Sequence, residues 1–265
     1  MKPARGSLGH RFPVDGRGDP RSAKPRLRTR VLLWAAVVCV CFTTGIASVA
    51  AEEGKDEKEQ KQVLEVVKKL QARYEQTKDL LADFQQTTRI EGFATPLNSS
   101  GRMYIKKPGL LRWDYREPDV EEIYVNRNDV MMYVPEHKQV LVGKLTQMAA
   151  SQAPLQLLQG VAKLDEEFDI EPSRGGERGE GGLPLVMLTP KAADADPTRT
   201  LTKIVVEVQP KTHYIKSVTI HEVSGNISTF RFTNLKPNSG LQTSVFEFKV
   251  PPGVEVVKAP SLSPP

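Results

Sequence analysis

Residues 101–115 read Gly101-Arg-Met-Tyr-Ile-Lys-Lys-Pro-Gly-Leu-Leu-Arg-Trp-Asp-Tyr115. Two short runs of period-two alternation flank a Lys106-Lys107-Pro108-Gly109 break. Met103, Ile105 and Lys107 share one face of the first run, and Leu111, Trp113 and Tyr115 share one face of the second. Such alternation belongs to strands with one buried side, and Pro-Gly between them marks a hairpin or a corner. One residue does not fit: Lys107 shares its face with apolar side chains.

The same period extends on both sides. Upstream, Leu80, Ala82, Phe84, Gln86, Thr88 and Ile90 alternate along one strand, followed by a polar loop over 92–100. Downstream, strands are predicted over 121–125, 130–134 and 139–142, separated by polar turns at 126–129 and 135–138. Residues 168–171, 183–189, 201–209, 214–221, 227–235, 245–249 and 254–257 continue the series. Two segments break it. Val63, Leu64, Val66, Val67, Leu70 and Tyr74 recur at helical spacing, which predicts a helix to about residue 77. Met148, Leu155, Leu157 and Leu158 suggest helical turns around Pro154, closed by Gly160. The prediction is a mainly β chain with some α: a half-open antiparallel barrel of about eleven strands, with helices covering its mouth. Its domain spans 63–257, behind a charged tether at 52–62 and ahead of a Pro/Ser-rich tail at 258–265.

The net charge of +5 suggests an anionic partner until its distribution is considered. The first fifty residues hold nine Lys/Arg and two Asp/Glu, leaving 28 basic and 30 acidic residues elsewhere. The remainder is nearly neutral and shows no stripe for nucleic acid. Residues 1–51 read as a leader: Arg26, Arg28 and Arg30, an apolar run from Val31, then Ser48-Val49-Ala50-Ala51-Glu52. This is the pattern of a secretory signal peptide cleaved after Ala50 or Ala51, which implies an exported, soluble chain. The competing reading is an uncleaved membrane anchor. Cys39 and Cys41 lie inside the run, so a cleaved chain has no cysteine.

No chemistry suggests itself. His137, His213 and His221 lack paired metal spacing, and no Gly-x-Ser-x-Gly elbow occurs. Asp165, Glu166, Glu167 and Asp169 read as solvated loop charge. The Gly-rich loop over 174–182 lacks the Gly-Lys-Ser/Thr of a phosphate cradle. The expectation is a protein that is not an enzyme and that needs no cofactor and no metal. What remains is apolar surface inside a curled sheet, a hydrophobic ligand site.

Four stretches resemble the LolA family of periplasmic lipoprotein carriers. They are Leu81-Ala82-Asp83-Phe84-Gln85-Gln86; residues 101–113 with Lys106-Lys107-Pro108-Gly109-Leu110-Leu111-Arg112-Trp113; residues 123–135 with Met131-Met132-Tyr133; and Val186-Met187-Leu188-Thr189-Pro190-Lys191 with Phe246-Glu247-Phe248-Lys249-Val250-Pro251-Pro252-Gly253-Val254. The resemblance implies an unclosed eleven-stranded barrel with lipid in its cavity. It implies lipoprotein cargo, taken from an inner-membrane LolCDE-type transporter and passed to an outer-membrane LolB-type acceptor. In the family, an Arg before the motif proline holds the lid shut; here that position is Lys107.

The candidate cavity and rim residues are Phe84, Met103, Ile105, Leu110, Leu111, Trp113, Met131 and Tyr133. Plain core packing is their alternative role. The candidate lid and latch are Lys107 with Pro154, Leu155, Leu157 and Leu158, where Lys107 contacts backbone near 154–160 or is simply a solvated turn lysine. Lys106, on the opposite face, should tolerate substitution. The chain is read as a monomeric lipoprotein carrier. The other readings are a lipoprotein-sensing envelope-stress regulator and a carrier of other lipids on the same fold.

Overall fold

The computed structural model describes residues 43–145, 164–173, 175–191 and 200–258. The chain divides into two compact units, Met1–Glu52 and Glu53–Pro265. Of the first, the structure describes a helical run from Thr43. The second carries the sheet.

Helix α1 spans Thr43–Glu75. Residues 52–62, expected as a tether, are helical within it. Their Glu, Lys and Gln are strong helix formers. Lys61 pairs with Glu57 and Lys69 with Glu65 one turn apart, each at 2.6 Å. Val63, Val66, Val67, Leu70 and Tyr74 form the buried stripe, while Leu64 beside it is 47% exposed. A single helical turn, α2 (Leu164–Glu167), precedes the later strands.

Twelve strands form one sheet: β1 (Asp79–Arg89), β2 (Leu97–Lys106), β3 (Leu110–Glu117), β4 (Glu121–Asn126), β5 (Asp129–Val134), β6 (Gln139–Lys144), β7 (Phe168–Pro172), β8 (Val186–Pro190), β9 (Leu201–Val208), β10 (Ile215–Glu222), β11 (Ile227–Pro237) and β12 (Glu255–Lys258). Their order is β12-β6-β5-β4-β3-β2-β1-β11-β10-β9-β8-β7. Two meanders therefore meet at β1 and β11, and the sheet does not close. The expected antiparallel set of about eleven is corrected to twelve strands in a mixed sheet, because β12 pairs parallel to β6. Residues 245–249 are not a strand. A 3-10 turn over Thr243–Phe246 begins there, and Val245 gives its carbonyl to Arg112 rather than to a ladder. Strand β2 starts four residues earlier than predicted, where Asn98 Oδ1 accepts a 2.9 Å bond from Thr87 Oγ1.

The sheet is strongly bent. Trp113 on β3 and Phe230 on β11 are separated by β2 and β1. On a flat sheet their strands would lie about 14 Å apart, yet the ring centroids are 5.6 Å apart. Small residues in between make room: Ala82 on β1 pairs with Met103, and Gly101 on β2 pairs with both Phe84 and Tyr115. The concave face and the stripe of α1 form one core, which contains Leu80, Phe84, Met103, Leu111, Leu188, Ile204, Val206 and Ile215.

The convex face is covered too. Residues 239–248 lie against it. Asp79 accepts from Ser239 N (2.7 Å) and Gly240 N (3.1 Å), and Lys106 Nζ donates to Leu241 O at 2.7 Å. Phe248 packs 5.2 Å from Tyr124 and 5.3 Å from Tyr133, over a fully buried Val140.

Candidate functional site

The concave face is the candidate ligand site, and directly paired residues on neighbouring strands share it. Five predicted residues belong to it. Phe84, Met103, Ile105, Leu111 and Trp113 are all 6% exposed or less and join the core. Their rings form a cluster: Phe84 lies 4.8 Å from Trp113 and 5.1 Å edge-on from Tyr115, and Phe232 lies 6.3 Å from Trp113.

Three predicted residues are corrected. Leu110, Met131 and Tyr133 lie on the convex face. Leu110 pairs with Lys106, Met131 with Tyr124, and Tyr133 with Glu122 and Val140. Their chain neighbours take the inner positions. Leu111 pairs with Val125, and Met132 pairs with Ile123 and Leu141. Lys106 lies on the convex face, opposite to Lys107's, and its Nζ donates to Leu241 O.

The face is graded along its length. At the end bearing the β1–β2, β3–β4 and β10–β11 turns, Tyr115, Ile123, Ile220 and Phe230 are only half-buried. A polar ladder lies at this same end. Tyr115 Oη donates to Gln86 Oε1 at 2.8 Å, Gln86 Nε2 donates to Thr88 Oγ1 at 3.0 Å, and Thr88 lies 3.1 Å from Ser228 Oγ. Burial pushes the Tyr115 phenol well above its ordinary range, and Glu121 adds to the shift, so it stays a neutral donor. Trp113 Nε1 is enclosed and has no hydrogen-bond partner among the described residues.

Lys107 closes the opposite end. Its Nζ donates to Tyr74 O at 2.5 Å, and its main-chain N–H donates to Lys78 O at 2.9 Å. Tyr74 O also accepts from Thr77 N at 3.0 Å, and the last turn of a helix carries the negative end of its dipole, so a cation suits it. Burial lowers the Lys107 pKa, and Glu75 opposes that. The expected contact with 154–160 falls outside the described residues, as do Pro154, Leu155, Leu157 and Leu158.

Sequence reasoning passed over Tyr115, Ile123, Met132, Phe230 and Phe232. Tyr115 was readable from its alternation with Leu111 and Trp113. The two phenylalanines needed the β1–β11 register, which brings Phe232 opposite Phe84 and Phe230 opposite Gln86. Among the described residues, no group of three or more His, Cys, Asp or Glu is placed to hold a metal.

The family model described as outer membrane lipoprotein carrier protein LolA matches residues 75–249. An outer-membrane lipoprotein carrier protein of Methylobacillus flagellatus is 26% identical over 72% of this chain and 88% of its own length. One from Pseudomonas syringae pv. tomato is 30% identical over 69% of this chain and 84% of its own. A LolA superfamily protein structure from Nitrosomonas europaea overlays with a TM-score of 0.39 at 12% identity, covering 70% of this chain and 97% of that one. The motifs around Phe84, Lys107 and Trp113 all lie inside the matched region, and the chain belongs to the LolA family of outer-membrane lipoprotein carrier proteins.

Proposed function

We propose that the protein binds the acyl chains of lipoproteins against its concave face and carries them through the periplasm from the inner to the outer membrane. Carriers of this family are transport proteins and perform no chemistry. One observation supports the reading most directly: the bent sheet leaves Tyr115, Ile123, Ile220 and Phe230 half-buried at one end, joined to the aromatic core. Each acyl CH₂ moved there from water contributes about 0.8 kcal/mol. Long chains therefore bind with few polar contacts.

In this reading a LolCDE-type transporter loads the carrier and a LolB-type acceptor unloads it. Residues 1–51 act as an export leader removed near Ala50 or Ala51, and the domain over 63–257 works as a monomer. Among the described residues no helix is long and apolar enough to cross a membrane. Lys107 holds the foot of α1 while the opposite end of the face admits cargo. The test is native mass spectrometry of the protein isolated from its own envelope. Bound triacylated protein is the expected result. Free phospholipid alone would replace the reading with a carrier of other lipids. A retained leader with no cargo would favour a membrane-held sensor.

A further inference from the structure

Trp113 holds the one donor on the concave face that its surroundings leave unused among the described residues. Its side chain is 94% buried, and its Nε1 has no partner. The rings packed around it, Phe84, Phe230 and Phe232, offer no oxygen or nitrogen acceptor. An indole N–H only donates. Buried unpaired, it keeps the cost of lost hydration with nothing in return. Two residues further along β3, about 7 Å away, Tyr115 starts the polar ladder through Gln86, Thr88 and Ser228. The apolar wall thus carries polar atoms at two depths: a lone donor inside and a chain of hydroxyl and amide groups toward the open end.

We propose that Trp113 Nε1 donates to an ester carbonyl oxygen of the bound lipid, with the ladder facing the glyceryl and peptide groups that follow it. The proposal rests on the carrier reading and adds a chemical preference to it. A face made only of hydrocarbon would not separate acyl esters from alkyl ethers of the same length. A face with one unpaired buried donor does, because the ester gives that donor a partner and the ether gives a poorer one. The same pairing favours the filled state over the empty one, where the donor stays unmatched.

Two synthetic lipopeptides test this. Both carry the same peptide on an S-glyceryl cysteine, one with two hexadecanoyl ester chains and the other with two hexadecyl ether chains. The full-length protein should bind the ester form about tenfold more tightly, the size of one net hydrogen bond to a buried donor. Trp113→Phe should bind both forms equally. In the ¹⁵N spectrum the Trp113 indole resonance, identified by its loss in Trp113→Phe, should move downfield with the ester and not with the ether. Equal binding of the two forms by the wild type would overturn the proposal while leaving the carrier reading intact. So would an ester preference that survives in Trp113→Phe. Binding of neither form would remove the carrier reading itself. If Trp113→Phe does not fold, the wild-type comparison of the two forms still decides.

Discussion

Lys107, on the turn after β2, and Tyr74, in the last turn of α1, are joined by a hydrogen bond from an ammonium to a main-chain carbonyl. The bond fastens the foot of the helix to the β2–β3 turn of the sheet. It links elements 33 residues apart that share no ladder.

Lys107→Ala should release that end of α1. Hydrogen bonds involving a charged group contribute about 1.5–3 kcal/mol, and partial exposure places this one at the lower end. Amide exchange over residues 70–77 should quicken about tenfold, and bound lipid should dissociate faster. Lys107→Arg should preserve both values. Exchange mass spectrometry reads the first effect, and unchanged rates in the alanine variant would show that the bond does not hold the helix.

Gly101 has no room for a methyl group. A Cβ there would sit 1.9 Å from Asp114 O and 2.8 Å from Phe84 Cε1. The backbone oxygen cannot yield as a flexible side chain would, so β2 and β3 must separate. Gly101→Ala should cost about 3 kcal/mol or more, measured by urea unfolding, and should quench the packing of Phe84 on Trp113 seen in near-ultraviolet dichroism.

Acid should weaken a clamp on the convex face. Asp83 accepts from Arg102 at 2.7 Å and from Asn234 at 2.9 Å, which ties β1 to both neighbours. The Arg102 bond first, then the Asn234 bond, hold its carboxyl below the usual range. A depressed carboxylate pKa contributes stability above its unfolded value of about 3.9, and that contribution is lost as pH falls through the lower folded value. Asp83→Asn should cost about 1 kcal/mol at pH 7 and flatten the stability profile below about pH 4. Unfolding curves across that range check the slope.

Arg112 holds down the C-terminal segment. Its guanidinium pairs with Asp114 at 2.7 Å, donates to Val245 O at 3.3 Å, and lies 5.6 Å and 5.0 Å from the Tyr104 and Tyr124 ring centres. A lysine has the charge but not the planar fork. Arg112→Lys should lower stability by about 1–2 kcal/mol and open residues 243–258 to limited proteolysis.

The parts of the fold that were legible are those with one wet side. Residues 101–115 alternate because their outer face is polar, and the α1 stripe shows because its other face is charged. Strand β5 was unreadable for the opposite reason. Val130-Met131-Met132-Tyr133-Val134 is apolar throughout, since its inner side meets the core and its outer side meets Phe248. No period survives there, so Met131 and Tyr133 were assigned to the wrong side. Leu110 and Leu111 pose the same problem in two residues. Phe246 and Phe248 alternate as a strand would, but they anchor a covering segment that makes no ladder. The sheet's curvature was partly legible in its small residues, Ala82 and Gly101. The approach of Phe230 to Trp113 was not, because it depends on a pairing between residues far apart in sequence.

The two outermost strands have a consequence for how copies of this molecule meet. A long, flat, unpaired strand is a template on which a second chain can zip. Here β12 is four residues long and begins and ends in exposed charges, Glu255 and Lys258. At the other limit β7 carries Asp169 and Glu171, ends in Pro172, and has its Ile170 carbonyl occupied by Gln60. Neither end offers a run of free backbone groups. The sheet is thereby insulated at both limits from polymerising through its rim.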